Sequence, residues 1–397
     1  MSVAADPHSD APPRPDRGAS FIAGALLAVI AVSIAGATEP RQGLLFVIGG
    51  LMGAALYHAA FGFTGGWRRL VRERRGASMR AQMLMVGLAA LVFIPVLAQG
   101  GAFGVSPAGA IAPVGVSVLV GAALFGLGMQ LGGGCGSGTL FTVGGGSVRM
   151  LVTLAFFCVG ALLGTAHLPW WLEQPALGRI ALGTELGWAG GLAVTLAGLA
   201  AVALVTVAVE RGRHGALERP APSAKRGLAR LARGPWPLVW AAVALALLNV
   251  ATFFVAGHTW SITYGFGLWA AKGAQALGVP VETWAFWTWP YNARALSSSV
   301  LENTVSVMNF GIILGAALAA GLAGRFAPAA ALPWRSLAAA VLGGVLMGYG
   351  ARLGFGCNIG ALFSGIASGS LHGWLWFAAA FAGSWAGIRL RPAFGLD

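Results

Sequence analysis

Long apolar runs recur along the chain at 21–37, 82–99, 114–131, 148–166, 188–209, 237–256, 303–322, 337–349 and 374–388, separated by short polar stretches. A membrane-crossing helix needs about 20 predominantly apolar residues. The pattern therefore predicts an all-α polytopic membrane protein with nine crossing helices. Two further segments, 44–63 and 262–278, are apolar but interrupted by glycine, and the second contains Lys272. Both are expected to enter the membrane and turn back. Residues 1–20 are rich in Pro, Asp, Ser and Arg and predict a disordered tail. The run 21–37 also has a signal-peptide look, with Arg17 before it and Ala35-Gly36-Ala37 at its end, but the topology needs it as a span.

Composition agrees with that pattern. Of 397 residues, 57% are hydrophobic and only 9% charged, against about 25% charged in soluble domains. Glycine contributes 62 residues without a collagen period, which suits close helix packing in a membrane. Three cysteines, an odd number, argue against a disulfide scaffold.

The net charge of +13 raises the question of nucleic acid, and its placement answers it. Arg68, Arg69, Arg72, Arg74, Arg75 and Arg80 crowd one short stretch; Arg211, Arg213, Arg219, Lys225, Arg226, Arg230 and Arg233 crowd another. Both clusters lie between apolar runs, as cytoplasmic loops do under the positive-inside rule. Only Trp67 is near them, whereas nucleic-acid binding would want interleaved aromatics. The partner surface expected for these arginines is the lipid bilayer. With 67–80 and 210–236 inside, the arginine pattern puts the N-terminus outside. It also sends run 82–99 outward and run 303–322 inward.

An internal repeat organises the chain. Residues 121–135 align with 343–357 at an offset of 222, and 147–164 align with 370–387 with one residue inserted. The expected division is a tail at 1–20, a first half at 21–187, a linking helix and basic linker at 188–236, and a second half at 237–397. The opposite directions of 82–99 and 303–322 predict inverted halves, a common build of secondary transporters.

The repeat centre carries the candidate chemistry. Gly132-Gly133-Gly134-Cys135-Gly136-Ser137-Gly138 cannot comfortably continue a helix, and Gly354-Phe355-Gly356-Cys357-Asn358-Ile359-Gly360 repeats the break. Non-helical backbone at membrane depth is tolerated where it is buried in protein or lines a wet cavity. Freed N–H groups and positive helix ends would attract an anion there. The candidate path residues are Cys135, Cys357, Gly134, Gly136, Ser137, Gly356 and Asn358. Gln130 and Arg352, five residues before the two cysteines, join them. Cys158 has no repeat partner and reads as a small packing residue. Arg352 is a costly charge in an apolar stretch, hence a functional candidate, with snorkelling to the interface as the alternative. Lys272 and His58 read as structural.

These paired motifs, with Ser364-Gly365 and the 370–387 tail, resemble the YeeE/YedE family of sulfur-transport membrane proteins over nearly the whole chain. The resemblance implies uptake of thiosulfate or a related sulfur anion across a bacterial inner membrane. It implies cysteines along a central path, with Cys135 and Cys357 matching two of them. Family members often carry another cysteine in a Phe-Cys-Phe-like stretch, where this chain has Phe61-Gly62-Phe63. A cytoplasmic sulfurtransferase is the candidate protein partner. No enzyme activity, cofactor or resident metal is expected. The alternatives are a membrane thiol redox protein cycling Cys135 and Cys357, for which no CxxC or haem motif speaks, and a metal-ion transporter, for which only Met129 lies nearby.

Overall fold

The computed structural model describes residues 15–219, 226–326 and 332–396. The expected tail falls mostly on residues 1–14, and Lys225 of the second basic cluster on 220–225; both lie outside the described residues. The chain is a bundle of helices whose glycine faces let backbones touch. In the first half, α1 (Arg17–Ala37), α2 (Pro40–His58) and α3 (Phe63–Glu73) precede α4 (Ala77–Ala98). Then α5 (Val116–Gly132), a short α6 (Gly136–Gly144) and α7 (Val148–Leu172) follow. After α8 (Leu182–Glu185), the long α9 (Gly187–His214) and α10 (Gly227–Arg233) lead to the second half. That half comprises α11 (Leu238–Ala256), α12 (Thr263–Ala276), α13 (Ala285–Thr288), α14 (Pro290–Ser297), α15 (Thr304–Ala323) and α16 (Trp334–Leu353). A π-helix (Asn358–Ser364), α17 (Gly365–Ala367) and α18 (Leu371–Leu390) complete it. The only sheet among the described residues pairs Pro113–Gly115 with Ala176–Arg179, antiparallel.

Nine helical stretches among the described residues are long and apolar enough to cross a membrane. The count matches the expectation, but the membership does not. Pro40–Glu73 is one of the nine, and α18 is not. Three tryptophans, three glycines, His372 and Ser384 dilute the apolar character of α18, although its 20 residues run beside α5.

The expectation that 44–63 turns back is overturned by α2, an unbroken helix of 19 residues. Glycines that read as breaks are packing sites instead. A side chain at Gly49 would strike the Met308 carbonyl of α15, and one at Gly53 the Ile312 carbonyl. With α1 and α2 both of crossing length, the chain enters on the side of the basic stretches. The Asp16 N–H donates to the Gly321 carbonyl at the end of α15 (2.9 Å), and the Tyr57 hydroxyl to Arg325 O (3.4 Å). Gly234 of the linker packs on His58. The expected outside N-terminus is therefore corrected. By contrast, α12 spans only 14 residues, too short to cross, as the reading of 262–278 required.

The same contacts give helix directions. Gly49 on Met308 and Gly53 on Ile312 make α2 parallel to α15. Gly383 on Ala123 and Gly387 on Leu127 make α5 parallel to α18, and Gly160 on Val345 with Gly164 on Arg352 makes α7 parallel to α16. The two repeat-equivalent helices α5 and α16 run antiparallel, since Gly121 meets Gly350 and Gly128 meets Gly343.

The first basic stretch is also more ordered than a loop. Arg68, Arg69 and Arg72 lie on α3, and only residues 74–76 turn before α4. Glu210 of α9 is fully buried there. It accepts from Arg75 (3.3 Å), Arg80 (2.8 Å), the Gly76 N–H (3.1 Å) and the Glu218 N–H (2.8 Å).

Candidate functional site: two thiols at broken helices

Each half breaks a helix and restarts it on a cysteine. At the end of α5, Gly133 takes φ +92°, a left-handed conformation that ends the helix at little cost only for glycine. The chain then extends to Cys135, which caps α6: its sulfur accepts from the Gly138 N–H at 3.4 Å and lies 3.5 Å from Ser137 Oγ. Arg149 closes the other side of this break. It donates to the carbonyls of Gly132 (2.7 Å) and Leu131 (2.6 Å), which α5 leaves unpaired at its C-terminus.

In the second half, α16 ends at Leu353, and Phe355 and Gly356 take φ +55° and +149°. Cys357 then caps the π-helix, its sulfur accepting from the Ile359 N–H at 3.4 Å. The two breaks touch: a methyl group at Gly136 would meet Cys357 Sγ at 3.1 Å. Both thiols are free and almost completely buried, at 1% and 0% exposure.

Two more short helices start at the same place. The Phe63 backbone N–H, at the beginning of α3, faces the Cys135 sulfur. Ile262, which caps α12, brings its Cγ2 to 3.4 Å from a methyl at Gly136. The N-termini of α3, α6, α12 and the π-helix therefore gather round one pair of sulfurs. Each N-terminus carries unpaired N–H groups and partial positive charge. Local electrostatics favour an anion, and Arg149 adds a full positive charge at the first break.

Polar brackets fix these breaks. Asn249, fully buried on α11, accepts from the Trp260 N–H (2.8 Å) and donates to Ser364 Oγ (3.3 Å), which itself donates to Trp260 O (2.8 Å). Asn309 on α15 donates to Ile262 O at 3.0 Å. Neither asparagine stood out in the sequence. The available signal was an amide inside an apolar run, and Phe63 and Ile262 had only their place beside glycine-broken segments.

The other expected path residues divide. Gly134, Gly136, Ser137 and Gly356 lie in the two breaks. Asn358 is fully buried, and neither its Nδ2 nor its Oδ1 has a hydrogen-bond partner among the described residues. A buried amide left so is uncommon and marks Asn358 as able to meet a ligand. Gln130 acts as a bracket: its Nε2 donates to Thr64 O (3.1 Å) and Ser384 Oγ (2.7 Å), tying α3 to α18, while its buried Oε1 has no partner among the described residues. Arg352 stands apart from the thiols, between α7, α12 and α13. Its guanidinium carbon is 4.9 Å from the Phe286 ring centre and 5.8 Å from that of Tyr264. Its buried Nε lacks a partner, and it forms no ion pair with a described carboxylate. Lys272 donates to Leu296 O and Ser298 O, both at 2.6 Å, and so holds the chain after α14. Cys158 sits half-buried on α7, in an unbroken helix, packed against the core.

An apolar helical bundle whose broken helices meet at buried thiols defines a multi-pass membrane protein. Residues 58–386 match the family described as sulphur transport, and the chain belongs to that family. It is 25% identical over 351 residues to the thiosulfate transporter TsuA of Spirochaeta thermophila, covering 85% of this chain and 96% of that one. It is 32% and 33% identical over 161 residues to the probable transporters YedE of Escherichia coli and Salmonella typhimurium. Those two matches cover 40% of this chain and 39% of each relative, so the chain matches about two fifths of their length.

Proposed function

We propose that the protein carries thiosulfate or a closely related sulfur anion across a bacterial inner membrane, along a path that passes between Cys135 and Cys357. The supporting observation is the meeting of the two thiols with four helix N-termini. A desolvated anion needs donors to replace its water shell. Backbone N–H groups and helix ends supply them for the oxygens, and thiols are weak donors suited to a soft terminal sulfur. Arg149 at the first break is engaged by the Leu131 and Gly132 carbonyls, so the anion is held mainly by uncharged donors, and conduction needs such weak binding. Arg352, unpaired at one side of the bundle, is the collecting charge.

The antiparallel crossing of α5 and α16 supports an inverted relation of the two halves, because the helices carry the same repeat unit. Under that relation each half contributes one thiol to the path. The halves 21–187 and 237–397 act as the two repeats, joined by 188–236. The protein is then a conduit and catalyses no covalent change, and a cytoplasmic sulfurtransferase is the candidate recipient of its cargo.

The test is uptake of labelled thiosulfate by cells lacking their own transporter. Expression of this chain should confer it, and Cys135→Ala should remove it at equal membrane abundance. Uptake that persists in the Cys135→Ala/Cys357→Ala double variant overturns the path. The closeness of the thiols keeps a redox reading in view. Under that reading, a two-electron acceptor of the quinone class would oxidise the thiols to a Cys135–Cys357 disulfide with release of two protons, and thiol alkylation after exposure to that acceptor would find both sulfurs protected.

A further inference from the structure

We propose that the cleft beside α4 on the basic side of the bundle binds a phospholipid with a net-negative headgroup. A pocket of about 470 Å³ opens there, lined by Arg69, Arg80, Arg219, Arg230, Trp236 and Leu238 among others. Three of these arginines are fixed in place. Arg69 pairs with Glu73 (3.0 Å) and Glu218 (2.9 Å), and Arg80 with Glu210 (2.8 Å). Arg230 donates to Pro235 O (3.0 Å) and lies 5.3 Å from the Trp240 ring centre. Counting Arg75, five arginines face three carboxylates, Glu73, Glu210 and Glu218. The excess of two positive charges suits a phosphate diester.

The pocket adjoins an apolar groove. Arg80 and Leu84 also line a second groove of about 340 Å³ between α4 and α9, whose other walls include Gly87, Leu91, Leu196, Leu199 and Ala203. This groove is almost wholly apolar. From Arg80 to Leu91 it follows eleven residues of helix, about 16 Å at 1.5 Å per residue. That is about half of the ~30 Å hydrocarbon core, the depth of a single leaflet. A charged pocket at the interface that continues into an apolar groove one leaflet deep fits a headgroup with its acyl chain. A free phosphate would use the arginines alone. Basic pockets between helices on the cytoplasmic side are where anionic lipids are recognised, at about 1 kcal/mol per arginine, or about fivefold in retention.

The experiment is native mass spectrometry of the full chain released from nanodiscs of equal dioleoyl phosphatidylglycerol and dioleoyl phosphatidylcholine. One phosphatidylglycerol should be retained over phosphatidylcholine by about twentyfold. Arg219→Gln/Arg230→Gln should bring that ratio close to one. Gly87→Leu or Ala203→Leu keeps every arginine but fills the groove, and either should lower phosphatidylglycerol retention severalfold with monodisperse elution unchanged. Equal retention of the two lipids by the unsubstituted protein overturns the proposal. So does displacement of the lipid by millimolar inorganic phosphate together with full retention in both groove-filled variants, which would mark an ion site.

Discussion

Gly136 and Cys357 form the contact between the two broken helices: a methyl group at position 136 would stand 3.1 Å from Cys357 Sγ. That is tighter than ordinary van der Waals contact, so the glycine sets the space available beside the thiol. Gly136→Ala should cut thiosulfate uptake severalfold and Gly136→Val should abolish it, with both proteins present in the membrane at normal levels. Uptake unchanged in Gly136→Val would place the path elsewhere.

The thiols themselves separate donor chemistry from mere bulk. Cys135→Ala and Cys357→Ala remove the S–H donor and should each abolish uptake. Serine keeps a donor but is smaller and harder, so Cys357→Ser should retain a low residual rate. Cys158→Ala, half-buried on the unbroken α7, should transport normally. A dead Cys158→Ala protein of normal abundance would mean that the thiol path has been drawn through the wrong cysteines.

Asn358 offers an unusual split between stability and function. Its amide is fully buried with both polar atoms unpartnered, which costs the folded state about 1–3 kcal/mol. Leucine has a similar size and no such cost. Asn358→Leu should therefore leave the unfolding temperature in detergent unchanged or raise it, while uptake falls at least tenfold. Loss of both together would make Asn358 a structural amide instead.

The repeat, the breaks and their cysteines were legible in the sequence because glycine clusters and a fixed offset of 222 need no tertiary knowledge. The course of α2 was not. A glycine that ends a helix and one that admits a neighbouring backbone look alike along the chain. At Gly49 and Gly53 only the facing carbonyls of Met308 and Ile312 tell them apart. That error moved the N-terminus to the wrong side. Gln130 has a packing use that alignment with Arg352 did not reveal, since its Nε2 donates to Thr64 and Ser384 while its buried Oε1 has no partner among the described residues. The amides of Phe63 and Ile262 were invisible because backbone groups carry no residue signature; only folding brings the starts of α3 and α12 to the thiols.

Glu210 is the stability test. Four donors converge on this buried carboxylate and tie the turn at 74–76 to α9. Glu210→Ala leaves Arg75 and Arg80 without their partner and should cost about 3–5 kcal/mol, the usual effect of removing one side of a buried pair. A lowered unfolding temperature and faster proteolysis near residue 75 would report it. An unchanged unfolding temperature would show that solvent replaces the carboxylate.

Arg352 tests the approach to the path rather than the path itself. Its guanidinium lies over Phe286 and Tyr264, has a buried Nε without a partner, and pairs with no described carboxylate. A cation so placed raises the local concentration of anions, an effect felt at encounter. Once the concentration saturates the site, transfer between the thiols sets the rate and Arg352 no longer matters. Arg352→Gln should therefore raise the half-saturating thiosulfate concentration about tenfold and leave the maximal rate nearly unchanged. Arg352→Lys keeps the charge and should recover much of the loss. Added salt should weaken uptake by the unsubstituted protein at low substrate and have little effect on Arg352→Gln, since screening removes what the substitution has already removed. A fall in maximal rate alone would instead assign Arg352 to packing between α7 and α12.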